Sequence, residues 1–259
     1  MLRVIRALAG RELTRFLRQP QRVIGSLGQP ILFWVFLGSG FSPSFRAPGL
    51  EKLSYLEYFF PGVLLMMLLF ASIFSSITLI EDRDQGFLQG VLTAPVPRMA
   101  IVLGKVGGGT AIALFQCFIL LIAAPFALPI PSLGGSFLLL AALVITGIGF
   151  SALGFMIAWT MKSTSGFHAI MMVFLMPLWM LSGALFPLDN APGWLWGAMI
   201  VNPVSHALVL IRAPFYADVP AMLNSSLYLT SLFVTLGWAG LCLFFSLARV
   251  ERVERGVAG

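Results

Sequence analysis

Six long apolar runs that carry almost no charge constrain this chain more than any other feature. They cover approximately residues 23–41, 58–80, 101–128, 135–160, 167–187 and 225–248. A helix needs about 20 apolar residues to cross the hydrocarbon of a bilayer. The expected fold class is therefore an all-α polytopic membrane protein with six transmembrane helices. The third and fourth runs are long enough to tilt or to extend past the bilayer. Composition agrees: the 259 residues are 59% hydrophobic and 10% charged, whereas soluble domains carry roughly 25% charged residues. A chain this poor in charge cannot cover a core of its own with polar surface, so lipid must be much of its solvent.

Charge placement orients the runs. With the N-terminus inside, thirteen of the sixteen Lys and Arg residues fall in cytoplasmic segments, and only Arg46, Lys52 and Arg212 fall outside. Lys and Arg concentrate on the cytoplasmic side of membrane proteins, which predicts N-in, C-in and an even number of spans. The net charge of +6 does not point to nucleic acid. The basic residues flank apolar runs and are not interleaved with exposed aromatics. They read as topology determinants and contacts to lipid headgroups. No cleavable signal peptide is expected, because six arginines interrupt the first 22 residues.

Two segments break the simple pattern. Trp194–Ile211 is apolar enough for a seventh span, but Asn202-Pro203 interrupts it, and a seventh crossing would place Arg249, Arg252 and Arg255 outside. The segment 188–224 is therefore read as extracellular, with two short re-entrant helices between spans five and six. Irregular backbone at that depth must be covered by protein or water. At the other end, residues 1–22 predict an amphipathic helix in the cytoplasmic interface. Arg11, Arg15, Arg18 and Arg22 lie on one stripe, with Leu2, Ile5, Ala9, Leu13 and Phe16 opposite. Gln19-Pro20 ends it. It serves either as an anchor or as a lever between a cytoplasmic partner and the first span. No internal repeat or linker divides the chain, so residues 1–259 are read as one domain.

Reactive chemistry is sparse. The polar exceptions within the spans are Gln29, Gln116 and His168. No row of Asp, Glu or His suits a proton relay, which disfavours the alternative of a secondary transporter or channel working without an ATPase. No metal or catalytic motif is expected: His168 and His206 are the two histidines, and no His-Glu-x-x-His occurs. Ser151, within Gly149-Phe150-Ser151-Ala152, reads as a helix-packing residue. Gly104-Lys105 fails as a phosphate loop, because position 99 is Met and position 106 is Val. The chain thus has no nucleotide site and needs no cofactor of its own. If ATP drives it, another chain binds the ATP. Cys117 and Cys242 read as packing residues, with a disulfide between them left open. Gly104 and Gly108, four apart like Gly147 and Ser151, suit close helix contacts within a subunit or across a dimer.

The segment 81–98 carries the strongest local signal. It is charged at its start (Glu81-Asp82-Arg83-Asp84), turns at Gly86, and ends in Ala94-Pro95-Val96-Pro97. Phe87, Leu88, Val91 and Leu92 form an apolar stripe suited to a groove on a partner.

Taken in order, these features resemble the permease subunit of a type-2 ABC (ATP-binding-cassette) exporter, over nearly the whole chain. The residues that carry the resemblance begin with the basic N-terminal helix leading to Gln29-Pro30. Glu81, Gly86, Leu88, Leu92, Ala94, Pro95 and Val96 follow in the loop after the second span. Next come Ser182-Gly183, Phe186-Pro187, Pro192 and Trp194-Leu195, then Asn202-Pro203, His206 and Arg212. Phe87 and Gln89 depart from the family pattern, which has Thr and often Glu there. The Glu-Ala-Ala-x-x-x-Gly loop of importer permeases does not occur. The resemblance implies two permease subunits, identical or related, lining a path at their interface in the plasma membrane (a bacterial inner membrane). It also implies two ATPase subunits beneath them. Glu81, Gly86, Phe87, Leu88, Val91, Leu92 and Pro95 would couple to the ATPase through a helix over 81–97. Phe186, Pro187, Trp194, Asn202, Pro203 and His206 would belong to an extracellular gate region. The abundance of Phe, Trp and Met fits hydrophobic, amphipathic or lipid-linked cargo: a drug, a lipid or a lipo-oligo- or polysaccharide.

Overall fold

A computed structural model describes residues 1–42, 53–126, 128–187 and 192–257, with side chains through residue 250. Among these residues there are twelve α-helices and no strand. In order they are α1 (Leu2–Leu17), α2 (Pro20–Phe41), α3 (Tyr55–Phe74), α4 (Ile77–Asp84), α5 (Phe87–Thr93) and α6 (Arg98–Leu121). Then come α7 (Leu133–Ala158), α8 (Thr164–Trp179), α9 (Gly193–Val201), α10 (Pro203–Tyr216), α11 (Val219–Asn224) and α12 (Ser226–Val257).

Six helical segments are long and apolar enough to cross a membrane: Pro20–Phe41, Tyr55–Asp84, Arg98–Phe126, Leu133–Ala158, Thr164–Ala184 and Ser226–Val250. Each coincides with one expected run. Their starts follow from local chemistry. The Ser54 hydroxyl and the Glu57 carboxylate cap α3 reciprocally. Ser132 and Ser163 accept from Gly135 and Gly166 N–H to cap α7 and α8. Pro20 opens α2, where its missing N–H is not needed.

The second span is the hub: it is largely buried, whereas α2 is largely exposed. Small residues let its neighbours approach. A Cβ on Gly154 would come within 2.9 Å of the Ile73 carbonyl, and one on Gly62 within 2.7 Å of the Ala184 Cβ. Gly149 backs onto Ala239, and the Ser246 hydroxyl reaches the Ala152 carbonyl at 2.8 Å, joining α12 to α7. Pro61 has no N–H to offer the Glu57 carbonyl one turn earlier. The Tyr216 hydroxyl donates to that carbonyl instead, at 3.0 Å, which ties α10 to α3.

The Trp194–Ile211 run is no straight span. It forms α9 and the start of α10, bent by 79° at Asn202. Residues 188–191, at the start of the predicted outer segment, lie outside the described residues. Two expectations change. The 81–97 segment is two short helices, not one, because Gly86 breaks it with φ of 75°, a conformation glycine adopts without strain. Nor does α1 simply float on an interface. It packs along α6 with Leu8, Glu12 and Phe16 buried, while Leu2 is exposed. The Gly104 and Gly108 pair makes this possible: added Cβ atoms would lie 2.7 Å from Leu8 Cβ and 2.8 Å from Glu12 Cβ. These glycines serve a contact within the chain. Both cysteines are buried and free.

Candidate functional site

The packing of α1 on α6 drives a glutamate, Glu12, into the protein, where it must find charge partners. It finds them on α6 and α4. Lys105 Nζ lies 2.7 Å from Glu12 Oε1 and also pairs with Asp82, within reach of the Thr78 hydroxyl at 3.4 Å. Arg11 holds Asp82 with both terminal nitrogens, at 2.8 and 3.0 Å. Arg15 bridges Asp82 at 3.1 Å and Glu81 at 2.7 Å. Three cations therefore meet three carboxylates in a cluster with no net charge. Asp82 is fully buried, and Glu12 and Lys105 nearly so. Donating to the Asp82 carboxylate pushes the Arg11 guanidinium further above its already high range, so it stays charged. Removing one member of such a cluster leaves another charge buried and unpaired.

The cluster fixes the predicted 81–98 segment against the body of the protein. Arg83 adds a second tie, donating to the Trp159 and Met161 carbonyls at 2.6 and 2.8 Å at the end of α7. Phe87 lies under the Arg11 guanidinium, 3.8 Å from it. Leu88 is 3% exposed and belongs to the chain's own core, with Val91 and Leu92 packed partly against that core. The expected apolar docking stripe therefore faces inward in large part. The face that remains open carries Gln85, Gly86, Phe87, Gln89, Gly90, Thr93 and Pro95. Arg11, Arg15 and Lys105 are ion-pair partners here, where the sequence had read them as topology markers or headgroup contacts.

At the other end of the molecule, Asn202 organises the bend between α9 and α10. Its side-chain oxygen caps α10 by accepting from Val204 N–H at 3.0 Å, and its amide donates to the Leu178 carbonyl at 2.6 Å. Pro203 takes the first position of α10. His206 Nε2 donates to the Ile200 carbonyl at 2.9 Å, so Nδ1 accepts from the Ser231 hydroxyl at 3.1 Å. Pro187 and His206 line a cavity of about 570 Å³, together with Tyr58, Trp196 and Arg212. Trp194, 77% exposed, stands outside it, and Phe186 does not line it.

Sequence reasoning missed Tyr58 here. The fifth span ends in a wide turn, Met180–Ala184, with Gly183 at φ of 86°. The Gly183 carbonyl accepts from the Tyr58 hydroxyl at 2.7 Å and from Arg212 Nη2 at 3.1 Å, and the Arg212 guanidinium lies 4.3 Å over the Tyr58 ring. A glycine near the end of an apolar run, Gly183, was the available signal.

The chain is similar to known proteins over most of its length. A family model described as ABC-2 type transporter matches residues 3–216. A protein named putative transport permease ycf38, from Cyanophora paradoxa, is 31% identical over 222 residues, which cover 83% of this chain and 75% of that one. The inner membrane transport permease YadH of Escherichia coli (strain K12) is 26% identical over 222 residues, covering 83% of this chain and 85% of YadH. The probable multidrug ABC transporter permease YbhR of the same strain is 27% identical over 168 residues, 64% of this chain and 46% of YbhR.

Proposed function

The chain belongs to the ABC-2 type transporter family, a multi-pass permease that works with an ABC ATPase, and from that premise we propose that it is the membrane half of an exporter driven from the α1–α4–α5 face. Two permease subunits, identical or related, line the path between them. Two ATPase subunits sit beneath, and the ATP is bound and hydrolysed there. Both chain ends lie on the cytoplasmic side of a plasma membrane, a bacterial inner membrane by analogy with the Escherichia coli relatives.

The observation that carries this reading is the neutral, buried ion cluster. A partner that moves α5 moves α4 through Gly86, and Asp82 and Arg83 pass the displacement to α1, α6 and α7. Opening a buried ion pair by removing one partner costs about 3–5 kcal/mol. The unit is thus expected to move as one block, with α5 as its contact to the ATPase. The outer gate is assigned to α9 and α10, held against the second and fifth spans by Asn202, Arg212 and Tyr58. The apolar spans, and the word multidrug in the name of YbhR, support hydrophobic or amphipathic cargo, with lipid-linked saccharides in the same class.

Co-expression and co-purification with a candidate ABC ATPase from the same genome, followed by hydrolysis assays in lipid, test the reading. Stable association and lipid-dependent hydrolysis are expected. A folded chain that binds no ATPase yet still moves substrate would overturn it.

A further inference from the structure

Gln29, Gln116 and His168, the polar exceptions among the spans, come from α2, α6 and α8. They nevertheless line a single cavity with Arg22. It has a volume of about 480 Å³ and lies at the end of the bundle that carries α1 and α4. Ligand sites typically span about 300–1,000 Å³. Most of the wall is apolar, including Met66, Met67, Phe70 and Met172.

Two side chains in this wall have bonding capacity that the chain leaves unused. Gln116 is 2% exposed and makes no hydrogen bond among the described residues. A side-chain amide offers two donors and a carbonyl acceptor, and leaving them unmade in an apolar setting is unfavourable. Packing alone would be served better by leucine. Arg22, at the mouth, makes one hydrogen bond, from Nη2 to the Phe74 carbonyl at 3.3 Å. The other charged group of the wall, Glu81, is already bound to Arg15 at 2.7 Å. The open electrostatic valence of the mouth is therefore positive. His168 is stacked on Phe74, with ring centroids 4.5 Å apart.

We propose that this cavity binds a single-chain amphiphile bearing an anionic group. The phosphate or carboxylate sits against Arg22. A hydrogen-bonding linkage, such as an ester, amide or hydroxyl, meets Gln116 and Gln29. The apolar chain lies along Met66, Met67 and Met172. The site belongs to one subunit, since Gln116 is enclosed by its own chain. The inference rests on the reading of the protein as a permease for amphipathic cargo, but its test uses neither ATP nor transport.

The chain is reconstituted in nanodiscs of phosphatidylcholine, and binding of fluorescently labelled lysophosphatidic acid is titrated. Saturable binding is expected, and inorganic phosphate should not displace the probe. Lysophosphatidylcholine with the same label should bind more weakly. Gln116→Leu should weaken binding about tenfold, the scale of one buried hydrogen bond, with thermal stability kept because the amide bonds no other described residue of the chain. Arg22→Gln should weaken binding comparably, and Met67→Trp, which fills the cavity, should abolish it. Wild-type binding in either of the first two variants, equal binding of the zwitterionic probe, or displacement by inorganic phosphate would each overturn the site. Loss of ATPase association with binding intact would count against the coupling reading instead.

Discussion

One lysine, Lys105 on the third span, joins α1 to α4: its Nζ lies 2.7 Å from Glu12 Oε1 and pairs with Asp82 as well. Among the described residues, the other ion-pair partner of Glu12 is Arg11, at 3.2 Å and on the same helix. Replacing Lys105 by Met should therefore destabilise the protein by about 3–5 kcal/mol, the scale for stranding a buried charge. Thermal denaturation in detergent reads this directly. Adding Glu12→Gln should recover part of the loss, since the stranded carboxylate is then neutral. A single variant as stable as wild type would show that the cluster is not structural.

The seating of α1 on α6 depends on two glycines with no room for a side chain. Gly108→Val should cost about 1–3 kcal/mol through overpacking and should raise protease cleavage within α1. A Cβ on Gly107 meets nothing within 4 Å. Gly107→Ala on the same helix should therefore stay within about 1 kcal/mol of wild type. Equal behaviour of the two variants would contradict the packing.

Along α5, inward and outward residues should separate folding from coupling. Leu88→Asp places a charge in the core and should abolish the folded protein itself. Gly90 is exposed, and a Cβ there meets nothing within 4 Å. Gly90→Trp should leave folding and membrane insertion intact while blocking ATPase association in co-purification. Undiminished association in Gly90→Trp would remove α5 from the docking surface.

Arg212 should matter for transport and not for assembly. Its guanidinium holds the Gly183 carbonyl and covers the Tyr58 ring, far from the ion cluster. Arg212→Met should reduce substrate export severalfold while ATPase co-purification stays at the wild-type level. Joint loss of association and export would move this residue out of the gate.

The spans and the break at Asn202-Pro203 were legible because run length and a proline act locally. The observed segments begin and end within a few residues of the runs read from sequence. The ion cluster was not legible, since Glu12, Asp82 and Lys105 are brought together by tertiary packing alone. Charge counting treats Lys105 as a topology marker, although it is 8% exposed. One signal was available: Glu12 stands between Leu8 and Phe16 at four-residue spacing, on the face that becomes buried. The stripe at Phe87, Leu88, Val91 and Leu92 is legible as apolar, but its main contact is the chain's own core. Periodicity cannot tell a groove on another protein from the chain's own core. Gln29, Gln116 and His168 stood out singly, and only the fold shows that they share a cavity.

In the proposed mechanism the α5 face meets an ATPase inside the cell. Gly90→Cys tests it most directly, because Cys117 and Cys242 are buried and leave the introduced thiol as the accessible one among the described residues. In inside-out vesicles containing the ATPase, a short bifunctional reagent should crosslink this thiol to the ATPase subunit, with a yield that changes when ATP is added. Labelling of the thiol from the outside of intact cells, or no crosslink in vesicles where the two proteins co-purify, would contradict the account.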